Sequence, residues 1–197
     1  MDAGWLVGLA ESPWLLPALF LLVVRDAFLV VLPSETLVVT LGALWGSTGS
    51  PPIVAIVPVA AVGAVVGDLL CFLIGRRVGL GRWEGGDSRL ARAIVRARAT
   101  VLRRPASLVF TARYIPFARI AVNLAAGASG LPLRRFAPLS AAAGVAWACY
   151  NTAVGALFGT VLAEVPLVAV AVSIVVAITL GVLVDAAAAR LAHGRDT

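Results

Sequence analysis

Five charged residues, Asp26, Glu35, Asp68, Arg113 and Arg119, stand inside long apolar stretches of a 197-residue chain. On insertion scales a charge at the centre of a membrane helix costs at least about 2.5 kcal/mol, so such residues persist where a partner, a wet cavity or a function holds them. Four of them bracket prolines: Asp26 and Glu35 flank Pro33, and Arg113 and Arg119 flank Pro116. Two guanidiniums beside a helix break form a planar, permanently charged clamp suited to phosphate or carboxylate. The two carboxylates can ion-pair with that clamp when it is empty, and either can take up a proton from a wet cavity during a cycle, which gives a route to proton coupling. Asp68 and Asn151 are additional candidates for the same cavity, with Trp147 beside Asn151. The bland reading of each is a structural ion pair, a snorkelling side chain or simple helix packing. For Arg25 that reading is preferred, because Asp26 is its immediate neighbour.

These residues sit in a chain that is 61% apolar and 13% charged, with a mean hydropathy of +1.01. Soluble domains carry roughly 25% charged residues, so too few polar groups remain here to cover a water-facing surface. One compact membrane domain is expected over residues 1–197. The net charge is +6, all sixteen cations are Arg, and nine of them lie between Arg76 and Arg104. In a membrane protein that clustering marks a cytoplasmic loop near anionic headgroups, and nucleic acid is not an expected partner. Cys71 and Cys149 form no CxxC or Cys/His cluster, so neither a metal site nor a disulfide framework is expected. Asp2 and Glu11 stand where a signal peptide would carry a basic region, so the N-terminus is expected to be retained.

A crossing of about 30 Å of hydrocarbon needs roughly 20 apolar residues. Residues 52–79, 134–163 and 166–187 meet that length and are expected to be transmembrane helices, with a cytoplasmic tail at 188–197. Two other stretches, 26–50 and 105–133, are broken by Pro and Gly. The second has arginines at both ends, which places both ends on one side of the membrane and predicts a re-entrant hairpin; the first is expected to match it. Broken backbone at membrane depth is tolerated where protein or a wet cavity covers it, so two such stretches imply a shared polar cavity. Residues 1–25 form an N-terminal helix that either spans or lies in the interface, and 80–104 a basic cytoplasmic loop ending in an amphipathic helix. A shift of eighty residues superposes Pro52 on Pro132, Pro58 on Pro138, Gly75 on Gly155 and Gly79 on Gly159. By the charge argument the two long helices run in opposite directions. The expected fold is therefore all-α and polytopic, with two inverted repeats, each a re-entrant hairpin plus a transmembrane helix, and a C-terminal transmembrane helix. Inverted repeats with interrupted helices are an architecture of secondary transporters, whose substrate sites lie where the breaks meet.

The segment Phe110-Thr-Ala-Arg-Tyr-Ile-Pro-Phe-Ala-Arg119 resembles the F-x-x-R-[FY]-x-P-x-x-R signature of the DedA family, whose domain is also called the VTT or SNARE-associated domain. As in that family, Ala126-Gly127 and Leu131-Pro-Leu-Arg-Arg-Phe136 follow it. Pro33-Ser34-Glu35 resembles the family's P-G-E element with Ser for Gly, and Gly67-Asp68 through Gly79 resembles the helix after it. The resemblance runs from about residue 20 to 160. It implies opposed re-entrant hairpins in a bacterial inner membrane and transport linked to the proton motive force. In some members it implies lipid substrates such as undecaprenyl phosphate. Family-essential acids and arginines map onto Asp26, Glu35, Arg113 and Arg119; many members carry Glu at the first position, so Asp26 is a shortened equivalent.

The expected function is translocation of an anionic lipid, a polyprenyl phosphate or a phospholipid, with Arg113 and Arg119 on the headgroup and Asp26 and Glu35 as proton-linked or counter-ion carboxylates. No cofactor beyond the proton motive force is expected. Membrane lipids and the lipid substrate are the expected partners, and self-association into a homo-oligomer stays open. A proton-coupled transporter of a soluble anion, and a scaffolding membrane protein without transport, are the alternatives. An intramembrane protease is disfavoured: Gly127-Ala-Ser-Gly130 resembles a rhomboid G-x-S-G, but His193, in the tail, is the single histidine.

Overall fold

The computed structural model describes residues 12–28, 34–79, 98–113 and 118–161. The described residues are helical and contain no strand. They form α1 (Leu15–Asp26), α2 (Ser34–Thr48), α3 (Ile53–Val78), α4 (Pro105–Ala112), α5 (Ala118–Ala128) and α6 (Leu133–Val161), with a helical stretch at 98–103 before α4. Residues 1–11, the breaks at Pro33 and Pro116, most of the basic loop, the helix expected at 166–187 and the tail lie outside the described residues.

Among the described residues two helices are long and apolar enough to cross a bilayer: α3, and α6 over Leu133–Thr160. At 1.5 Å per residue they reach roughly 40 Å, which covers a hydrocarbon core of about 30 Å. Each starts directly after a proline, Pro52 or Pro132, and each carries a second proline, Pro58 or Pro138, in its second turn. A proline at the start costs the helix nothing, because the first N–H groups have no intrahelical acceptor. The other four helices, eight to fifteen residues long, are individually shorter than a crossing requires. The helix near the N-terminus runs through Asp26, which is its last residue rather than the first of the following segment.

The short helices pack on the long ones through glycines. On the α3–α5 side, a side chain at Gly75 would strike the Leu124 carbonyl, and one at Gly127 would strike Phe72 O and Arg76 N. On the α2–α6 side, Gly155 stands in the same way against Val39 O, and Gly42 against Thr152 O. Backbones approach this closely only where the Cβ is missing, and small residues are the usual means of close helix packing in lipid.

Among the described residues two apolar clusters fill the interior. One joins Leu19 and Val23 of α1, Val38 and Leu41 of α2, Ile56, Ala60, Ala61 and Ala64 of α3, and Trp147 and Ala148 of α6. The other joins Phe72, Val101, Val109, Ala126, Leu131, Phe136 and Ala143, with Phe72 and Phe136 stacked at 4.5 Å between ring centroids. Along α3, Ala64 belongs to the first cluster and Phe72 to the second, so the residue midway on that face, Asp68, is held between them.

Candidate functional site

Asp68 is 1% exposed and ten residues from the C-terminal end of α3, roughly 15 Å along the helix axis. A carboxylate so deep needs donors on both oxygens, and three helical segments supply them. Arg113, at the C-terminal cap of α4, donates from Nη1 to Oδ2 at 2.7 Å. Ser140 of α6 donates to the same oxygen at 2.8 Å, and Asn123 of α5 donates from Nδ2 to Oδ1 at 2.8 Å. The Arg113 guanidinium also lies over the Trp147 ring, 5.5 Å from its centroid, within cation–π range.

A second, looser pairing adjoins the first. Arg119, in the first turn of α5, places Nη2 at 3.4 Å from Asp26 Oδ2 and Nε at 3.8 Å from Asp68 Oδ1. The same Asp26 oxygen accepts from Ser34 Oγ at 2.9 Å, in the first turn of α2. The Arg119 and Asp26 side chains are 12% and 11% exposed, against 2% and 1% for Arg113 and Asp68. Asp26 Oδ1 is buried with no hydrogen-bond partner among the described residues.

Glu35 follows Ser34 in α2 and is exposed; the Trp147 side chain, Asp26, Arg119 and Arg113 lie within its reach. The polar side chains therefore form a circuit: Ser34 to Asp26, Asp26 to Arg119, Arg119 to Asp68, Asp68 to Arg113, and Arg113 to Trp147, whose side chain lies within reach of Glu35 beside Ser34. Every described helix from α1 to α6 contributes to it.

Asp26, Glu35, Arg113 and Arg119, singled out in the sequence, thus come together, and Asp68 lies at their centre rather than at the margin. Asn151 takes another role: buried on α6, it donates to the Trp147 carbonyl one turn back in its own helix. Asn123, Ser140 and Ser34 escaped notice as functional side chains. An uncharged polar residue in a membrane helix is common, and only the position of Asp68 on a facing helix gives these three their meaning. No group of three or more His, Cys, Asp or Glu side chains that could hold a metal occurs among the described residues. Cys71 donates its thiol to the Ala27 carbonyl at 3.1 Å, tying α3 to the end of α1.

The VTT domain family matches residues 32–157, a stretch that contains all of the circuit except Asp26. An uncharacterized membrane protein of Mycobacterium tuberculosis is 30% identical over 152 residues, covering 74% of this chain and 66% of that protein. The chain therefore spans just under two thirds of that relative. Inner membrane protein YohD of Escherichia coli is 34% identical over 103 residues, 52% of this chain and 53% of YohD. A Lactococcus lactis protein named alkaline phosphatase-like is 26% identical over 148 residues, 71% of this chain and 68% of its own. No solved structure matches the chain. With the arginine signature, the glycine-packed helices and a family match over more than half its length, the chain belongs to the VTT-domain, or DedA, family of membrane proteins.

Proposed function

We propose that this protein is a multi-pass transporter of the bacterial inner membrane that moves an anionic lipid headgroup, a polyprenyl phosphate or a phospholipid phosphate, through the circuit around Asp68 with proton coupling. The observation that carries this reading is the meeting of two helix N-terminal turns at one oxygen: Ser34 of α2 and Arg119 of α5 both donate to Asp26 Oδ2. Helix N-termini carry partial positive charge and unpaired N–H groups, and interrupted helices in transporters aim them at anionic substrate. Asp26 occupies the place an incoming phosphate oxygen would take. A lipid tail can stay in the bilayer while the head passes.

The proton route uses Asp26 and Glu35, the two less enclosed acids. When Arg119 turns to a phosphate, Asp26 loses its counter-charge and a proton replaces it. The inverted-repeat reading draws support from the glycine contacts: Gly155 on Val39 in one half has its counterpart in Gly75 on Leu124 in the other, and Gly42 on Thr152 has its counterpart in Gly127 on Phe72. On this reading, the two short helices α2 and α5 are the inner arms of opposed re-entrant hairpins.

The test is movement of fluorescent anionic lipid in proteoliposomes under an imposed pH gradient, comparing wild type with a folded Arg119→Ala variant. Flipping that depends on Arg119 and on the gradient supports the proposal. A well-folded wild type that flips none of several anionic lipids sinks it, and uptake of a soluble anion would then separate a small-anion transporter from a scaffold.

A further inference from the structure

We propose that the two arginines have different tasks: Arg113 is a fixed positioning residue, and Arg119 alone leaves its carboxylate to hold the anionic headgroup. This rests on the transport reading and assigns the work within its site.

Arg113 is enclosed. Its Nη1 bond to Asp68 is 2.7 Å, its guanidinium faces the Trp147 ring, and its side chain is 2% exposed. Asp68 is in turn fixed by Ser140 and Asn123 at 2.8 Å each. To turn Arg113 towards a ligand would strand a buried carboxylate, the costly half of breaking such a pair. Arg119 is held otherwise. Its contacts, 3.4 Å to Asp26 and 3.8 Å to Asp68, are long for charge-assisted hydrogen bonds, and its side chain is sixfold more exposed, 12% against 2%. Asp26, its nearer partner, keeps Ser34 when Arg119 departs. The exchange breaks one long ion pair and forms a short one to phosphate, while the tight pair stays closed beneath it.

Asn123 and Ser140 then act through Asp68 and touch no substrate. Asp68 gives Arg119 a fixed second anchor at Oδ1, so the guanidinium is released towards one side only.

The test uses the full chain and dioleoyl phosphatidic acid as probe, against phosphatidylcholine as the neutral control. In detergent micelles phosphatidic acid should raise the melting temperature of wild type through preferential binding to the folded state. Arg119→Gln should melt near wild type and lose that increment. Asn123→Ala and Ser140→Ala should melt lower yet keep it. In proteoliposomes Arg119→Lys, which keeps the charge and loses the planar fork, should raise the half-saturating phosphatidic acid concentration about tenfold. Asn123→Ala should lower the maximal rate with half-saturation unchanged. Equal loss of the increment in Arg119→Gln and in the Asn123 and Ser140 variants overturns the division, as does a wild type that phosphatidic acid does not stabilise at all. If binding follows the expected pattern but no lipid moves, the division stands and the transport reading fails. If lipid moves and the Arg119 and Asn123 variants share one kinetic signature, transport stands and the division fails.

Discussion

Arg113 and Asp68 meet at 2.7 Å, Nη1 to Oδ2, with 2% and 1% of their side chains exposed. Removing one partner of such a buried pair leaves the other as an uncompensated charge, at a cost of about 3–5 kcal/mol. Asp68→Asn keeps the size and removes the charge, so it should lower the melting temperature in detergent sharply. The double variant Asp68→Asn, Arg113→Met should recover part of that loss, because it leaves no unpaired charge. A double variant that melts at the sum of the two single losses would show that the pair does not couple.

The close helix crossings give a second expectation. Gly127→Val would push a branched side chain into Phe72 O and Arg76 N of α3, and Gly155→Val would do the same to Val39 O of α2. Over-packing of this kind costs about 1–3 kcal/mol where neighbours can shift, and here the neighbour is backbone. Both variants should melt below wild type. Gly49→Ala, at a turn with a φ of +80° and open space around it, should cost less than either.

Glu35 is the exposed acid of the circuit. Glu35→Gln keeps the size and a polar carbonyl and removes the titratable group. Lipid movement by this variant should lose most of its dependence on an imposed pH gradient while the protein melts near wild type. A pH profile identical to wild type would remove Glu35 from proton coupling.

Trp147 faces the Arg113 guanidinium with its ring and has Glu35 within reach of its side chain. Trp147→Phe keeps an aromatic face and loses the donor, so it should fold with a modest loss of stability. Trp147→Ala deletes a fully buried ring and should cost about 3–5 kcal/mol. Comparing the two by thermal melting separates the packing contribution from the link to Glu35.

How much of this was legible in the residue order depends on charge. Arg113, Arg119, Asp26 and Glu35 are conspicuous because lipid tolerates no idle charge, and the long helices follow from apolar length and from prolines at their starts. Asp68 was visible as a charge, yet its place at the centre depends on Asn123 and Ser140, which look like ordinary packing residues until α5 and α6 face α3. Asn151 shows the reverse case. It is as polar as Asn123, but it satisfies itself on its own helix, and no pattern of neighbours in sequence distinguishes the two. Periodicity reports which face of a helix is apolar; it does not say which facing helix supplies the partner.

The glycine contacts carry a consequence for how the chain is made. The groove that receives α2 lies on α6, and the groove that receives α5 lies on α3, so each half is completed by a piece of the other. During synthesis α1, α2 and α3 emerge first, with Asp68 waiting for Arg113, Asn123 and Ser140 to be translated. Until those donors are in place, Asp68 lacks the partners it has in the folded protein. Arrival of the second half is therefore the event that completes the first.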